Sequence, residues 1–210
     1  MEKLKNLKLF LLDMDGTIYL DDRLFEGVIP FLEHIKAVGG RYLFLTNNSS
    51  KSVDKYIQKL ASLGISTTAE DFFTSVDATI HHLKGKTYQK IYAFGTASFK
   101  EQLAKSGLPI TDRREEGIDC LCMGFDTELT FQKLHDVSYL LLTRPELPYI
   151  ATNPDLVCPT EFGSVPDCGS VCIGIKNATG KEPIVIGKPS PLMPRLAMEK
   201  LGFAPEQTAV

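Results

Sequence analysis

The chain has 210 residues, 43% hydrophobic and 23% charged, the balance of a globular protein that can bury a core without disulfides or metal staples. Its 23 basic and 26 acidic side chains leave a net charge of −3, too weak a field to grip nucleic acid. No apolar run approaches the ~20 residues of a membrane span, and the N-terminus shows neither the apolar stretch nor the cleavage site of a secretory signal. At about 150 residues per domain, the length suits one large domain or a medium domain carrying a second.

The first apolar run, Leu7-Lys8-Leu9-Phe10-Leu11-Leu12, ends in Asp13-Met14-Asp15-Gly16-Thr17. Its length and Gly-bounded end predict a buried strand of a parallel sheet. Val28, Phe31, Leu32, Ile35 and Val38 then recur at helical spacing, with Pro30 in the first turn and Gly39-Gly40 as the stop. A second buried strand is predicted over 41–46, followed by the polar run Asn47-Asn48-Ser49-Ser50. The next helix places Val53, Ile57, Leu60 and Ala61 on one face, with Ser49 or Ser50 as its cap and Gly64 at its end. Alternation of this kind predicts an α/β fold, a Rossmann-like parallel sheet with helices on both faces. Such sheets bind ligands beyond the carboxyl ends of their strands, where both polar clusters fall.

Near residue 85 the texture changes. Ile91-Tyr92-Ala93-Phe94-Gly95 predicts a strand, and short strands and helices then alternate to about 180, as in a second α/β domain. Ile184-Val185-Ile186 leads into Gly187-Lys188-Pro189-Ser190-Pro191. A last amphipathic helix follows, with Met193, Leu196, Ala197 and Leu201 inward and Gly202 as its stop; Ala209-Val210 begins a further strand. The five cysteines, all between 120 and 172, read as free structural thiols of a reducing cytoplasm. Their spacing does not match zinc ligands, and no His lies among them.

Asp13 and Asp15 are the sharpest chemical feature. A carboxylate at a strand end is a competent nucleophile toward phosphorus. A second one, two residues on, can protonate the leaving oxygen and then activate water. Mg²⁺ would relieve the repulsion between the pair and an incoming phosphate. Gly16 allows a turn whose N–H groups face an anion. By themselves these residues read equally well as a polar turn closing a strand. Thr46 and Asn47 suit a phosphate at a helix N-terminus, but alone they read first as part of an ordinary cap. Lys188, fixed between Gly187 and Pro189, would neutralise phosphoryl oxygens and hold Asp13 ionised; an exposed loop lysine is the plain alternative. Three clusters in chain order, each at an element boundary, supply nucleophile, cradle and cation.

The spelling of these clusters, together with Ala151-Thr152-Asn153-Pro154-Asp155, resembles the haloacid dehalogenase superfamily of phosphohydrolases, in its NagD-like, p-nitrophenylphosphatase-type branch. The resemblance covers nearly the whole chain. It implies Asp13 as nucleophile and Mg²⁺ ligand, and Asp15 as general acid/base with its backbone carbonyl on the metal. It further implies Thr46, Asn47 and Lys188 as phosphate ligands. The expected plan is a core formed by 1–85 and 181–210 around an inserted cap at 86–180. Asn153, Asp155 and Gly169 are the cap residues expected to face the site, although Asn-Pro-Asp is also good turn chemistry. Where Asp167 stands the branch often has Gly, so the local turn is expected to differ. A receiver domain also pairs Asp with Thr and Lys, but would not carry so long an insertion between them. Halide displacement would not need Asp15 as a leaving-group acid.

The expected function is Mg²⁺-dependent hydrolysis of a small phosphorylated metabolite, a sugar phosphate or a nucleotide, through an aspartyl-phosphate. The alternative is a catalytically weak phospho-ligand-binding or regulatory protein on the same fold. Cap surfaces are the expected contacts of a homodimer. The resemblance also implies a fourth, acidic motif that completes the metal shell, beginning about where Thr208-Ala209-Val210 ends the sequence. The expectation is therefore a parent chain longer by about 50 residues, the length of two further strand–helix units.

Overall fold

The computed structural model describes residues 6–14, 16–20, 22–47, 53–160 and 162–210. They form an α/β fold divided into two compact units. One comprises 1–74 and 191–210, the other 75–190.

The first unit is built on four parallel strands. β1 (Leu9–Asp13) lies between β13 (Thr208–Ala209) and β4 (Arg41–Thr46), and β5 (Phe72–Thr74) pairs with the far side of β4. A short antiparallel hairpin, β2 (Tyr19–Leu20) and β3 (Arg23–Leu24), follows β1. Helix α1 (Val28–Ala37) buries Val28, Leu32 and Ile35, spaced to form one stripe. Phe31 and Val38, expected inward, are 40% and 48% exposed. They flank the stripe, and Phe31 instead packs edge-on against Phe10, with ring centroids 5.8 Å apart. The helix ends as the sequence predicts, with Gly39 at φ 71° donating to the Lys36 carbonyl.

Helix α2 (Val53–Ser62) turns Tyr56 and Leu60 inward, and Ala61 outward against expectation. An i, i+4 pair defines its buried face, and Ala61 falls beyond that face. The Ser49 or Ser50 cap lies outside the described residues. Helix α7 (Leu192–Leu201) buries Met193 and Ala197 and stops at Gly202, φ 72°. The core gathers Met14, Ile35, Tyr42, Phe44, Leu60 and Phe72 among others. Each such side chain contributes ~1.5–3 kcal/mol through burial.

The second unit starts with helix α3 (Ser75–Lys84) and holds a five-stranded parallel sheet in the order β12-β9-β8-β6-β7. These strands are β6 (Ile91–Phe94), β7 (Ile110–Thr111), β8 (Cys120–Met123), β9 (Tyr149–Ala151) and β12 (Ile184–Val185). Every residue of β6, β8 and β9 is buried, the pattern of a sheet covered on both faces. Its helices are α4 (Ala97–Lys105), α5 (Phe131–Thr143) and α6 (Cys168–Thr179). An antiparallel hairpin, β10 (Val157–Thr160) and β11 (Gly163–Pro166), precedes α6. In chain order the strands run 2-1-3-4-5, a doubly wound arrangement.

The bounds of this second unit, 75–190, are wider than those of the expected insertion at 86–180. Ile184 and Val185, assigned from sequence to the core, pair with Ile150 and Ala151 of β9. The chain stays in the second unit until Ser190.

Candidate active site

β1 delivers Asp13 to the carboxyl edge of the first sheet. The chain then coils tightly: the Met14 carbonyl accepts from the N–H groups of Thr17, Ile18 and Tyr19 at 3.2, 2.9 and 3.3 Å. Met14 is fully buried and anchors the coil, and Gly16 at φ 81° donates to the Tyr19 carbonyl at 2.8 Å. That left-handed conformation is one an L side chain rarely adopts. The Met14 N–H also donates to Asp13 Oδ1 at 2.9 Å, which orients the carboxylate from its own backbone. Asp15 lies outside the described residues.

β1 and β4 pair with Asp13 opposite Leu45, so Thr46 stands one residue further along the neighbouring strand. Parallel strands lie about 4.8 Å apart, which sets both residues on one edge. Thr46 is 5% exposed, and its Oγ1 is 3.4 Å from the Tyr56 hydroxyl of α2. Asn47 follows, half-buried. Thr74 pairs with Thr46 in register and adds a second buried threonine to this edge. Sequence reasoning missed it; the only signal was a hydroxyl residue directly after the apolar pair Phe72-Phe73.

The remaining sequence-predicted residues come together at the carboxyl edge of the second sheet. Asn153 follows β9, and Lys188 follows β12. The Gly187 N–H donates to the Thr152 carbonyl at 2.8 Å, tying the two strand ends together. Asn153 is buried and fully engaged. Its Oδ1 accepts from the Thr152 hydroxyl at 2.8 Å, and its Nδ2 donates to Asp155 Oδ2 at 3.1 Å and Asp167 Oδ1 at 3.3 Å. Gly169 lies in the first turn of α6, and its N–H donates to the Asp155 carbonyl at 2.9 Å. Asp167 is the N-cap of α6, and its carboxylate accepts from the Cys168 N–H. Burial pushes the Asp167 carboxyl above its ordinary value, and the nearby Asp155 charge adds to that. The bonds from Cys168 and Asn153 work against it. Sequence reasoning noted Asp167 only as a departure. Its signal was an acid directly before a helix, which is a cap signal.

Beside this cluster, Asn153, Leu156, Ile173 and Val185 line a cavity of about 350 Å³ with Cys172 in its wall. All five cysteines are free thiols. No group of three or more His, Cys, Asp or Glu among the described residues is placed to hold a metal ion. No helix among them is long and apolar enough to cross a membrane.

Comparison with known proteins gives these edges a context. Residues 10–109 match the family model described as haloacid dehalogenase-like hydrolase. The acid sugar phosphatase of Staphylococcus haemolyticus is 32% identical over 199 residues, which cover 94% of this chain and 74% of that protein. The crystal structure of a 4-nitrophenylphosphatase from Thermotoga maritima superposes with a TM-score of 0.83 at 38% identity, over 98% of this chain and 78% of that one. NagD from E. coli K-12 gives a TM-score of 0.84 at 30% identity, over 96% and 78%.

The chain belongs to the haloacid dehalogenase-like hydrolases. Within them it is a phosphatase of the NagD-like group.

Proposed function

We propose that the chain hydrolyses a phosphate ester of a small metabolite, of the sugar-phosphate class, through an aspartyl-phosphate at Asp13. The observation that carries this reading is the edge of the first sheet. There a carboxylate oriented by the Met14 N–H sits one strand from Thr46 and Asn47, above a turn that only Gly16 makes easy. The name of the staphylococcal relative supports the sugar-phosphate class.

In this mechanism an Asp13 oxygen attacks phosphorus, the bond to the ester oxygen breaks, and Asp15 gives that oxygen its proton. Asp15 then takes a proton from water, which attacks the phosphorus of the acyl phosphate. Inorganic phosphate leaves and the Asp13 carboxylate is restored. Thr46 and Asn47 hydrogen-bond the phosphoryl group, and the Lys188 ammonium offsets its negative charge. Asn153, spent on bonds within its own unit, holds the Asp155 carboxylate, and Gly169 allows their turn to approach α6; the partly exposed Asp155 is the polar group offered to the leaving portion of the substrate. The unit 75–190 serves as the cap.

The donor set suits Mg²⁺. That ion is held by one or two carboxylates and keeps several waters, and Asp13 offers a hard oxygen donor at a strand end. Asp13 and Asp15 would hold it, and when bound it would neutralise charge that builds on the phosphoryl oxygens. The free thiols favour a reducing compartment, the cytoplasm.

The test is a phosphoenzyme trap. Acid-quenched protein incubated with ³²P-labelled sugar phosphate and Mg²⁺ is expected to carry label that hydroxylamine releases, mapped to the peptide containing Asp13. Normal turnover with no such label would rule out the covalent route.

A further inference from the structure

We propose that Asp167 is a positioning residue for Lys188, acting through Asn153 and Thr152. The proposal rests on the reading of Lys188 as a phosphate-binding cation.

The Asn153 carboxamide is held at both ends, by the Thr152 hydroxyl on its oxygen and by Asp155 and Asp167 on its nitrogen. With Asn153 1% exposed and Thr152 fully buried, water does not replace a lost partner, and each broken bond leaves a polar group stranded. Thr152 is thus fixed through its side chain, and its carbonyl accepts from the Gly187 N–H. The preceding rung, Ile186 N–H to the Ala151 carbonyl at 3.0 Å, is ordinary sheet pairing. The Gly187 bond continues that pairing past the end of β12, to the residue before Lys188. On the far side, the Ser190 N–H returns to the Gly187 carbonyl at 3.0 Å and closes the turn that carries the lysine. The backbone from which Lys188 projects therefore hangs on the Thr152 peptide.

Asp167 is the outer anchor of this chain of bonds. Capping α6 does not require an acid, because Ser or Asn would cap equally well. The acid nevertheless stays buried, with its carboxylate on the Asn153 amide as well as on the Cys168 N–H. This second bond is what a simple cap would lack.

The experiment measures the inhibition constant of inorganic phosphate against p-nitrophenyl phosphate, with thermal melts by circular dichroism. It uses the full chain with Mg²⁺ and the variants Asp167→Ala, Asp167→Asn, Thr152→Val and Lys188→Ala. Asp167→Ala is expected to raise the phosphate constant at least about fivefold. Asp167→Asn should recover most of that loss, because an amide oxygen accepts the same two bonds. Thr152→Val should shift the constant in the same direction as Asp167→Ala. A purely structural Asp167 would lower the melting temperature and leave phosphate affinity of the folded enzyme within about twofold of the original; that result overturns the proposal. So does Asp167→Asn behaving no better than Asp167→Ala. If Asp167→Ala does not fold, Thr152→Val decides by the same twofold criterion. Lys188→Ala separates the two levels. An unchanged phosphate constant there defeats the reading of Lys188 itself. A raised constant there, with Asp167→Ala and Thr152→Val silent, defeats only the positioning role.

Discussion

Gly169 lies so close to Pro154 that a Cβ added to it would stand 2.1 Å from the Pro154 carbonyl oxygen and 2.8 Å from that of Asp155. The contacting atoms are backbone, so no side chain can swing away to make room. Helix α6 and the Asn153–Asp155 turn approach this closely only because residue 169 has no side chain. Gly169→Ala is expected to push them apart and to cost about 1–3 kcal/mol, as overpacking does. Urea denaturation monitored by circular dichroism would show it. A midpoint equal to that of the unaltered chain would mean that the contact relaxes freely.

Asp13→Asn keeps the size of the side chain and its hydrogen-bonding oxygen for the Met14 N–H, and removes the nucleophilic charge. The expected result is a fall in kcat of roughly 10³-fold or more with a melting curve that superimposes on the original. Steady-state hydrolysis of p-nitrophenyl phosphate measures the first, and differential scanning calorimetry the second. Chelation with EDTA should likewise stop turnover, with recovery on adding Mg²⁺.

Thr46→Val removes a hydroxyl at the sheet edge without changing side-chain shape. Loss of one hydrogen bond of about 1–1.5 kcal/mol to a bound phosphoryl group corresponds to roughly tenfold in kcat/KM. Thr46→Ser should preserve most activity. The Tyr56 hydroxyl is 3.4 Å away, so Tyr56→Phe provides the control. A loss in Tyr56→Phe equal to that in Thr46→Val would place the effect in the packing of α2 rather than at the phosphoryl group.

Local signals in the chain carry much of the first unit. The apolar run before Asp13, the run over 41–46 and the glycines at 39, 64 and 202 each fix an element boundary by mechanisms that act within a few residues. The same signals placed Asp13 and Thr46 at strand ends, the position that matters for ligand binding in an open α/β sheet, and Lys188 just before a helix. Ile184–Val185 shows where legibility stops. A short apolar run predicts a strand and says nothing of its partner, and the pairing with Ile150 spans more than thirty residues. Asp167 was illegible for a related reason. A cap is a local feature, but its bond to Asn153 depends on β9 and α6 meeting in space.

Burial sorts the cysteines by reactivity. It pushes the Cys120 thiol up to about 12 and the fully buried Cys122 thiol well above its ordinary value. Cys168 is also raised, chiefly by its hydrogen bond with Cys172, while that bond holds Cys172 below the usual thiol range. Only the thiolate reacts with iodoacetamide. At about pH 8 the native chain should label first at Cys158, which is partly exposed, and at Cys172, which lines the cavity. Cys120, Cys122 and Cys168 should react only after unfolding. Peptide mapping by mass spectrometry reads the order directly, and early labelling of Cys120 or Cys122 would contradict the packing of β8.

Asp167 ties stability to pH with a definite sign. Its carboxyl has an ordinary value of 3.8 and is raised in the folded chain, first by burial. Between the two values the unfolded chain has already released its proton while the folded chain still holds it, so folding takes up a proton there. The resulting stabilisation is complete below the ordinary value and is lost as pH rises through the folded one. Asp167→Asn cannot titrate and lacks this slope. Denaturation midpoints measured from about pH 3 to about pH 7 should therefore show the original chain losing stability relative to Asp167→Asn as pH rises, with the difference levelling once the folded carboxyl has ionised. Parallel profiles across that range would mean that the carboxylate is as well solvated in the folded chain as in the unfolded one, which its burial against Asn153 and Cys168 argues against.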